Sequence, residues 1–198
     1  MTLKEEKIAA RKEIAAARDA MTEALRTAAS AAILAVVQHD PAWRAAKSVL
    51  AYFGFGSEVD TLPFLEATLA QGKMLALPRI HKATKSLRLY RVADLDADLQ
   101  AGPWGIMEPK ARDDRVVEVR ELDFVLMPGL GFDAQCNRLG YGAGYYDSLF
   151  GAALVQGIAL PPRIAGAFDC QVVASIPAGE HDLPVDAVIT ETTRYPTR

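Results

Sequence analysis

The sequence contains few of the residues that form covalent or metal-bound frameworks. It has two cysteines and three histidines among its 198 residues. Cys136 and Cys170 form neither a disulfide framework nor a clustered metal site, so we predict two reduced thiols, as in a cytoplasmic protein. His81 and His181 have no second histidine at ligand spacing, and we therefore propose no zinc site.

Long apolar runs and an excess of charge of one sign are also missing. No stretch approaches the length of a membrane span, and the charges from Lys4 to Lys7 stand where a signal peptide needs its apolar region. The net charge of −3 does not attract nucleic acid or an anionic membrane, so an anionic ligand needs local cations. We expect residues 1–198 to form one domain, a cytoplasmic monomer with no nucleic-acid and no membrane partner.

The first third of the chain predicts helices followed by a strand, helix, strand unit. Residues 4–38 are rich in helix-forming residues and lack glycine and proline, and Thr22 can cap a second helix after a break. Ser48 to Phe53 and Lys73 to Leu77 are apolar runs typical of buried strands. We expect the second run to end at Pro78, because proline cannot donate to a strand ladder.

The rest of the chain continues this alternation. Further strands are predicted over Leu87 to Val92, Phe124 to Met127, Ile164 to Phe168 and, as the last strand, Asp186 to Thr190. Two prolines and two glycines exclude regular structure from Gly102 to Pro109, where Trp104 either stacks on a flat ligand or covers the core. The pattern predicts a three-layer α/β/α domain with a mainly parallel sheet, and ligands gather at the carboxyl ends of such strands.

A glycine loop, residues 140–144, carries glycine at every second position between a predicted strand and the start of a helix. Unpaired N–H groups and the helix dipole make such a helix start a binding site for phosphate. Arg138 before the loop adds a positive charge, and Asp147 after it adds a carboxylate that can hold magnesium. A simple tight turn explains the glycines almost equally well. The spacing matches neither the P-loop nor the dinucleotide fingerprint.

Other charged side chains also have both a structural and a functional interpretation. Lys7, Arg11 and Arg18 fall within roughly 40° of one another on a helix, and such a face binds an anion or is simply solvated. Glu58 and Arg79 follow the carboxyl ends of predicted strands. Glu58 either caps its loop or binds a ligand, and Arg79 either pairs with an anion or braces the sheet.

Two segments, taken as whole strings of residues, indicate a protein family more specifically than the spacing of their glycines does. Met127 to Asp133 is Met-Pro-Gly-Leu-Gly-Phe-Asp, and Asn137 to Asp147 is Asn-Arg-Leu-Gly-Tyr-Gly-Ala-Gly-Tyr-Tyr-Asp. This string closely resembles the signature of the 5-formyltetrahydrofolate cyclo-ligases, also called 5,10-methenyltetrahydrofolate synthetases. The resemblance runs from Lys7 to about Thr190. It implies a magnesium- and ATP-dependent enzyme that converts 5-formyltetrahydrofolate to 5,10-methenyltetrahydrofolate, on a fold shared with ribose-5-phosphate isomerase and the CoA transferases.

The resemblance also implies roles for individual residues. ATP would be bound by Lys7, Arg11, Arg138, Leu139, Gly140, Tyr141, Gly142, Ala143, Gly144, Tyr145 and Tyr146, with Arg18 a weaker candidate. The folate would contact Phe53, Glu58, Tyr141, Gly142, Ala143, Gly144 and Tyr145, and Mg²⁺ would bind Asp147 and Asp182. No covalent nucleophile is expected, because the formyl oxygen itself attacks the γ-phosphate to form a phosphorylated imidate.

Three positions depart from the family pattern. Cys136 stands where the family usually has glycine, and Tyr141 and Ala143 stand where some members carry arginine and lysine. A rival interpretation is a non-catalytic paralogue that binds a partner, which the retained charged residues oppose. A third is an isomerase or acyl transferase on the same fold, which would need a catalytic carboxylate or lysine that the sequence does not identify.

Overall fold

The structure is a computed structural model that describes residues 1–81, 83–102 and 105–196. Its helices are α1 (Leu3–Asp19), α2 (Glu23–His39), α3 (Pro41–Ala45), α4 (Leu62–Ala70) and α5 (Tyr145–Val155). Its strands are β1 (Ser48–Leu50), β2 (Met74–His81), β3 (Ser86–Val92), β4 (Leu99–Ala101), β5 (Met107–Pro109), β6 (Val116–Val117), β7 (Phe124–Leu126), β8 (Gly131–Asp133), β9 (Arg138–Leu139), β10 (Arg163–Gly166), β11 (Val172–Val173), β12 (Ala187–Ile189) and β13 (Arg194–Tyr195).

A large central sheet has the strand order β13-β12-β10-β7-β1-β2-β3-β6. The inner strands from β12 to β2 are parallel, whereas β13, β3 and β6 pair antiparallel at the edges. Strands β1, β7 and β12 are buried at every residue, as expected of parallel strands covered on both faces. The predicted α/β class with a mainly parallel sheet is confirmed.

Helices cover both faces of this sheet. Val49 of β1 lies in a core with Ile33 of α2 and Phe64 of α4. The next residue, Leu50, lies in a second core with Phe150 of α5. Successive strand residues enter different cores because side chains alternate across a strand, and this alternation gives the three layers that the sequence predicts.

Helix α1 lies apart from both cores, against a small sheet of β11, β8 and β9. Ile14 packs there with Leu130, Leu139 and Ile176 in a separate buried cluster. Gly131 allows this contact, because a Cβ at that position would overlap the end of the Ile14 side chain. The position of α1 therefore depends on a small cluster of its own.

The predicted break between the first two helices is confirmed. Helix α1 ends at Asp19, and Thr22 caps α2 by accepting a hydrogen bond from Leu25 N at 3.3 Å. Among the residues described, no single helix is long and apolar enough to cross a membrane. Helices α1 and α2 meet that test only as a pair, between which the chain bends by 104°.

Strand β2 is longer than predicted. We expected it to end at Pro78, but it runs to His81 and forms a hairpin with β3. On the β1 side, Ala76 O accepts a hydrogen bond from Ala51 N. Pro78, two residues further on, faces the same side beyond the end of β1, so its missing N–H breaks no ladder hydrogen bond.

Three other predictions of regular structure were wrong. Strand β1 ends at Leu50 rather than Phe53. Met107–Pro109 forms β5, paired with β4, although the glycines and prolines from Gly102 to Pro109 predicted irregular chain; Pro109 is the end residue of its strand, where a missing N–H is tolerated. Strand β13 follows the segment predicted as the last strand. Trp104 lies outside the described residues, so its two interpretations stay predictions.

A short hairpin of β8 and β9 precedes the glycine loop, where the sequence predicted only irregular chain. Its turn places Cys136 at φ +65°, the left-handed region that explains why glycine is usual at this position. Asp133 is fully buried and accepts hydrogen bonds from the N–H groups of Gln135, Asn137 and Ile176 at 3.0, 2.9 and 2.9 Å. This carboxylate holds the turn and the following chain together.

Two glycines should respond in opposite ways to alanine substitution. A Cβ on Gly54 would overlap the backbone carbonyl oxygen of Val59, so Gly54→Ala should destabilise the protein by about 1–3 kcal/mol. Gly151 lies inside α5, where an added Cβ meets no described atom within 4 Å, so Gly151→Ala should stabilise it by about 0.5–1 kcal/mol. Urea unfolding measures both changes, and effects of the same sign would contradict the packing described for these two glycines.

Candidate active site

Two clefts share the glycine loop. The first, of about 510 Å³, is lined by α1, by Gly140, Gly142 and Gly144, and by Asp147 and Asp182. The second, of about 410 Å³, is lined by the intervening Tyr141, Ala143 and Tyr145, with aromatic and apolar residues from the sheet. Successive residues from Gly140 to Tyr145 therefore alternate between the two clefts.

Helix α1 brings two cations to the first cleft. Lys7 Nζ forms an ion pair with Asp182, and Arg11 Nε donates to the carbonyl oxygen of Gly140 at 2.8 Å. Gly142 lies next to the Arg11 guanidinium and takes φ +108°, a backbone conformation that residues with a Cβ rarely adopt. The loop can run beneath α1 because it carries glycine there.

The first turn of α5 forms another wall of this cleft. Gly144, at φ +68°, is the N-cap, and the helix begins at Tyr145. The first N–H groups of a helix have no acceptor within it, and the helix dipole adds a partial positive charge. Together with the α1 cations, this turn makes the first cleft suitable for an anion.

Two carboxylates line the first cleft. Asp147 Oδ1 accepts hydrogen bonds from Arg138 Nη2 at 2.7 Å and Leu183 N at 3.1 Å. Asp182 Oδ2 accepts from Lys7 Nζ and from a backbone N–H. In the part of the chain that the structure describes, no protein donor contacts the second oxygen of either carboxylate. Each acid therefore keeps one oxygen for a ligand.

This pair of acids suits Mg²⁺ better than a metal that needs a complete protein shell. Across residues 1–81, 83–102 and 105–196, no group of three or more His, Cys, Asp or Glu side chains is arranged to hold a metal ion. Mg²⁺ is commonly bound by one or two carboxylates, with phosphate oxygens and water as the other ligands. The donor set of Asp147 and Asp182 fits that mode of binding.

Arg138 lies behind the loop rather than in the first cleft. Its side chain is 4% exposed, and Nη1 makes a long contact of 3.4 Å with Pro128 O. Its Nε is buried and has no hydrogen-bond partner among the described residues. In this geometry Arg138 orients Asp147, and the direct phosphate contact implied by the sequence would require the loop to move.

The second cleft combines aromatic walls with two carboxyl groups, the half-buried Glu58 and the buried Glu108. Glu58 Oε1 accepts a hydrogen bond from the Tyr141 hydroxyl, and Oε2 accepts one from Phe55 N at 3.2 Å. Burial raises the pKa of the Glu58 carboxyl, and burial also raises the pKa of the Tyr141 and Tyr146 hydroxyls. The tyrosines therefore stay protonated at neutral pH and can act as hydrogen-bond donors.

The residues that the family resemblance assigns to ATP and to the folate are distributed differently between the two clefts of the structure. Lys7, Arg11, Leu139, Gly140, Gly142, Gly144, Asp147 and Asp182 line the first cleft. Phe53, Glu58, Tyr141, Ala143, Tyr145 and Tyr146 line the second. Four residues implied to bind ATP thus face the second cleft, and two glycines implied to contact the folate face the first.

Sequence reasoning missed several residues of the second cleft. They are Tyr52, Phe55, Pro78, Ile80, Leu87, Ile106, Met107, Glu108 and Pro128. Most of the apolar ones lie in or beside strands, and nothing in the sequence distinguishes them from residues of the core. Arg79 donates from Nη1 to Pro109 O at 2.7 Å, so it braces the sheet against β5, one of its two predicted roles.

Comparison with known proteins first identifies the class of enzyme, a ligase of folate metabolism. The model of the 5-formyltetrahydrofolate cyclo-ligase family matches residues 3–191. The chain belongs to this family.

Individual relatives of known identity support this family assignment. The 5-formyltetrahydrofolate cyclo-ligase of Mus musculus is 31% identical over 160 residues, covering 79% of this chain and 78% of the mouse protein. That of Haemophilus influenzae is 32% identical over 142 residues, covering 72% and 74%. The NMR structure of Aquifex aeolicus 5,10-methenyltetrahydrofolate synthetase superposes with a TM-score of 0.80 at 31% identity, covering 96% of this chain and 91% of that one. The synthetase from Mycoplasma pneumoniae shares the fold, with a TM-score of 0.72 at 22% identity over 94% of this chain and 99% of that one.

The ion pair of Lys7 and Asp182 should make stability depend on pH. Burial raises the pKa of the Asp182 carboxyl, but hydrogen bonds from Lys7 and Gly179 and the Lys7 charge outweigh burial and leave this pKa below its ordinary value. A lowered pKa stabilises the folded state above the unfolded value of about 3.9, and the effect is lost as pH falls through the folded value. Asp182→Asn should therefore reduce the free energy of unfolding near neutral pH by up to about 1 kcal/mol.

Urea unfolding near neutral pH and below about pH 4 measures this change. The difference between wild type and Asp182→Asn should shrink at the lower pH. Asp96→Asn is the control, because Asp96 is exposed and forms no ion pair among the described residues. A difference for Asp182→Asn that is equal at both pH values would contradict the ion-pair assignment.

Proposed function

We propose that this chain converts 5-formyltetrahydrofolate to 5,10-methenyltetrahydrofolate in a reaction that requires ATP and Mg²⁺ and releases ADP and phosphate. The observation that carries the proposal is the glycine loop, which lines a charged cleft and an aromatic cleft with alternate residues. Transfer of a phosphoryl group between two ligands requires them to be held next to each other. Membership of the cyclo-ligase family supplies the identity of the two substrates.

The first cleft suits the triphosphate of ATP. Lys7 and Arg11 supply positive charge, the start of α5 supplies N–H donors, and the glycines let phosphate oxygens approach the backbone. Its volume of about 510 Å³ is within the ordinary range for a ligand of this size. Lys7 would exchange Asp182 for a phosphate, so that one charge-assisted contact replaces another.

Asp147 and Asp182 would hold Mg²⁺ beside these phosphates. The bound ion would neutralise negative charge on the transferred phosphoryl group. Arg138 supports this role from behind, because its contact with Asp147 Oδ1 leaves the second carboxylate oxygen directed elsewhere.

The second cleft suits the flat ring system of the folate. Phe53, Tyr141 and Tyr145 provide aromatic surface against which a planar ring can pack. The carboxylate of Glu58 can accept hydrogen bonds from the amino and ring N–H groups at the edge of a pterin. A reactive formyl group bound here lies across the glycine loop from the phosphates.

The proposed chemistry needs no covalent help from the protein. The formyl oxygen forms a bond to the γ-phosphorus as the bond from that phosphorus to ADP breaks, which yields a phosphorylated imidate. The second folate nitrogen then attacks the formyl carbon and loses its proton to solvent, and the carbon–oxygen bond breaks to release phosphate. Positioning and neutralisation of charge provide the catalysis in such a transfer. Lys7, Arg11 and the N–H groups of the loop offer both.

A non-catalytic binding protein of the same fold is the rival proposal. It would not need Lys7, Arg11, Asp147 and Asp182 to converge on one cleft, and their convergence favours the enzyme. We further propose that residues 1–198 work as one monomeric, cytoplasmic domain without a nucleic-acid or membrane partner. We also retain the proposal, made from the resemblance, that the fold is shared with ribose-5-phosphate isomerase and the CoA transferases.

An absorbance assay for the methenyl product tests the proposed function. Wild-type protein should form the product only when 5-formyltetrahydrofolate, ATP and Mg²⁺ are all present. Asp147→Asn should nearly abolish turnover and raise the Mg²⁺ concentration needed for half-maximal rate by at least about tenfold, because it removes a charged metal ligand. Asp96→Asn, an acid-to-amide change on the exposed surface, should leave both unchanged.

Two results would contradict this proposal. Normal turnover in an Asp147→Asn variant that unfolds at the wild-type urea concentration would refute the metal assignment. Absence of methenyl product from the folded wild-type protein, with all three components present, would refute the activity itself.

The route through an imidate makes a separate isotopic prediction. Substrate labelled with ¹⁸O in its formyl group should transfer that oxygen to the released phosphate, because the formyl oxygen becomes the bridging atom of the intermediate. Mass spectrometry of the phosphate measures the transfer. If a carboxylate of the protein were phosphorylated and then hydrolysed, the new oxygen would come from water. Phosphate without the label would exclude the imidate route while leaving the substrate assignment intact.

A further inference from the structure

Arg18 is the third cation on the α1 face, yet it does not reach the first cleft. It follows Arg11 by seven residues and is 7% exposed. Its Nη1 donates to the Tyr141 hydroxyl at 2.7 Å, and its Nε donates to Ser57 Oγ at 3.0 Å. Tyr141 lines the second cleft, and Ser57 immediately precedes Glu58 of that cleft. Arg18 was the weaker candidate among the ATP ligands that the resemblance implies, and its contacts connect it to the second cleft instead.

The hydrogen bonds around Arg18 have a definite direction. The Tyr141 hydroxyl has one hydrogen, which it donates to Glu58 Oε1, so its oxygen is left to accept from Arg18. Ser57 likewise donates its hydroxyl hydrogen to Asp19 and accepts from Arg18. A guanidinium can only donate, so Arg18 turns both hydroxyl hydrogens away from itself. The hydroxyl hydrogen of Tyr141 is therefore directed at Glu58.

We infer that Arg18 is a positioning residue for the second cleft, which holds the Tyr141 hydroxyl as a donor to Glu58 and thereby presents the Glu58 carboxylate to the folate. The inference rests on the proposed function for the identity of the ligand. Arg18 acts through Tyr141 and does not itself line the cleft formed by the described residues. This positioning role contributes to substrate specificity. Neither the glycine-loop motif nor the spacing of the α1 cations indicates it.

Charge supports the same assignment. Burial raises the pKa of the Glu58 carboxyl, whereas the Tyr141 hydrogen bond, the Phe55 N–H and the Arg18 charge lower it. The other ionisable groups that line the clefts around Glu58 come from several elements: Tyr52 after β1, Glu108 in β5, Tyr141 in the glycine loop, Tyr145 and Tyr146 in α5, and Glu23, Arg26 and Asp60 in an adjoining cleft. Loss of Arg18 removes a positive charge and frees the Tyr141 hydroxyl to rotate, so Glu58 should bind a proton more readily.

A purely structural role for Arg18 predicts a different outcome. Arg18 would then only attach α1 to the loops, and its loss would loosen the whole helix. Since α1 also carries Lys7 and Arg11, binding of ATP and of folate would weaken together. A positioning role affects the folate alone, and the two Michaelis constants distinguish these cases.

Steady-state kinetics of Arg18→Gln test the inference. We expect KM for 5-formyltetrahydrofolate to rise about tenfold or more, because a charge-assisted hydrogen bond that orders the binding group is lost. KM for ATP should stay within about twofold of wild type. The acidic limb of the pH profile of kcat/KM for the folate should move to higher pH. Lys12→Gln, which removes an exposed charge of the same helix, should change none of these.

Two further variants separate charge from geometry. Arg18→Lys keeps the charge without the guanidinium fork and should restore part of the folate affinity. Tyr141→Phe removes only the hydroxyl and should reproduce the folate defect. Adding Arg18→Gln to Tyr141→Phe should then have little further effect, because the two residues act through one chain of hydrogen bonds.

Several outcomes would overturn the inference. An unchanged KM for the folate in folded Arg18→Gln would do so, as would equal rises in both Michaelis constants. Should Arg18→Gln fail to fold, Tyr141→Phe decides, since Tyr141 is 46% exposed and its ring is retained. Wild-type folate kinetics in that variant would exclude the role of the hydroxyl.

A measurement without ligand keeps this test independent of the proposed function. Carbon NMR titration of Glu58 in the free protein should show a higher midpoint in Arg18→Gln, or in Tyr141→Phe, than in wild type. An unchanged midpoint would overturn the inference even if the enzyme makes the methenyl product. A raised midpoint would support the chain of hydrogen bonds from Arg18 through Tyr141 to Glu58 even if the protein does not make that product.

Discussion

The contact between α1 and the glycine loop is the constraint on which both clefts depend. Arg11 Nε donates to Gly140 O across a separation of 129 residues in sequence, and Gly142 supplies the positive φ of +108° with which the loop continues beside the guanidinium. The loop is a wall of both clefts, so a shift of α1 would change both at once. The helix itself belongs to neither main core and is held by the small cluster around Ile14.

Both carboxylates of the first cleft are paired with cations of the protein before any ligand binds. Lys7 pairs with Asp182, and Arg138 with Asp147. Pairing lowers the cost of keeping part-buried charges, which would be high for either partner alone. Under the proposed function, phosphate and Mg²⁺ would offer each partner of the Lys7 pair a new opposite charge. Entry of both ligands together is then easier than entry of either one.

The sequence was most informative where the physical cause lies within a few residues. Thr22 caps α2 through its own side chain, and apolar runs such as Phe124–Leu126 are buried on both faces, so local pattern was enough to predict these elements. It failed at Pro78, whose effect on β2 depends on where the neighbouring strand β1 ends. The β8–β9 hairpin was missed because the backbone of its turn is held by the buried Asp133, with a contact to Ile176 far along the chain.

By itself, the sequence determined the α/β class and the family resemblance, because spacing and residue type carry that information directly. Only the tertiary structure decided which cleft each loop residue faces. It also placed Arg138 behind Asp147 rather than in the first cleft, and Arg18 against Tyr141 rather than in that cleft. These assignments depend on hydrogen bonds between residues far apart in sequence, and helical spacing alone cannot distinguish three cations that share a face but meet different partners.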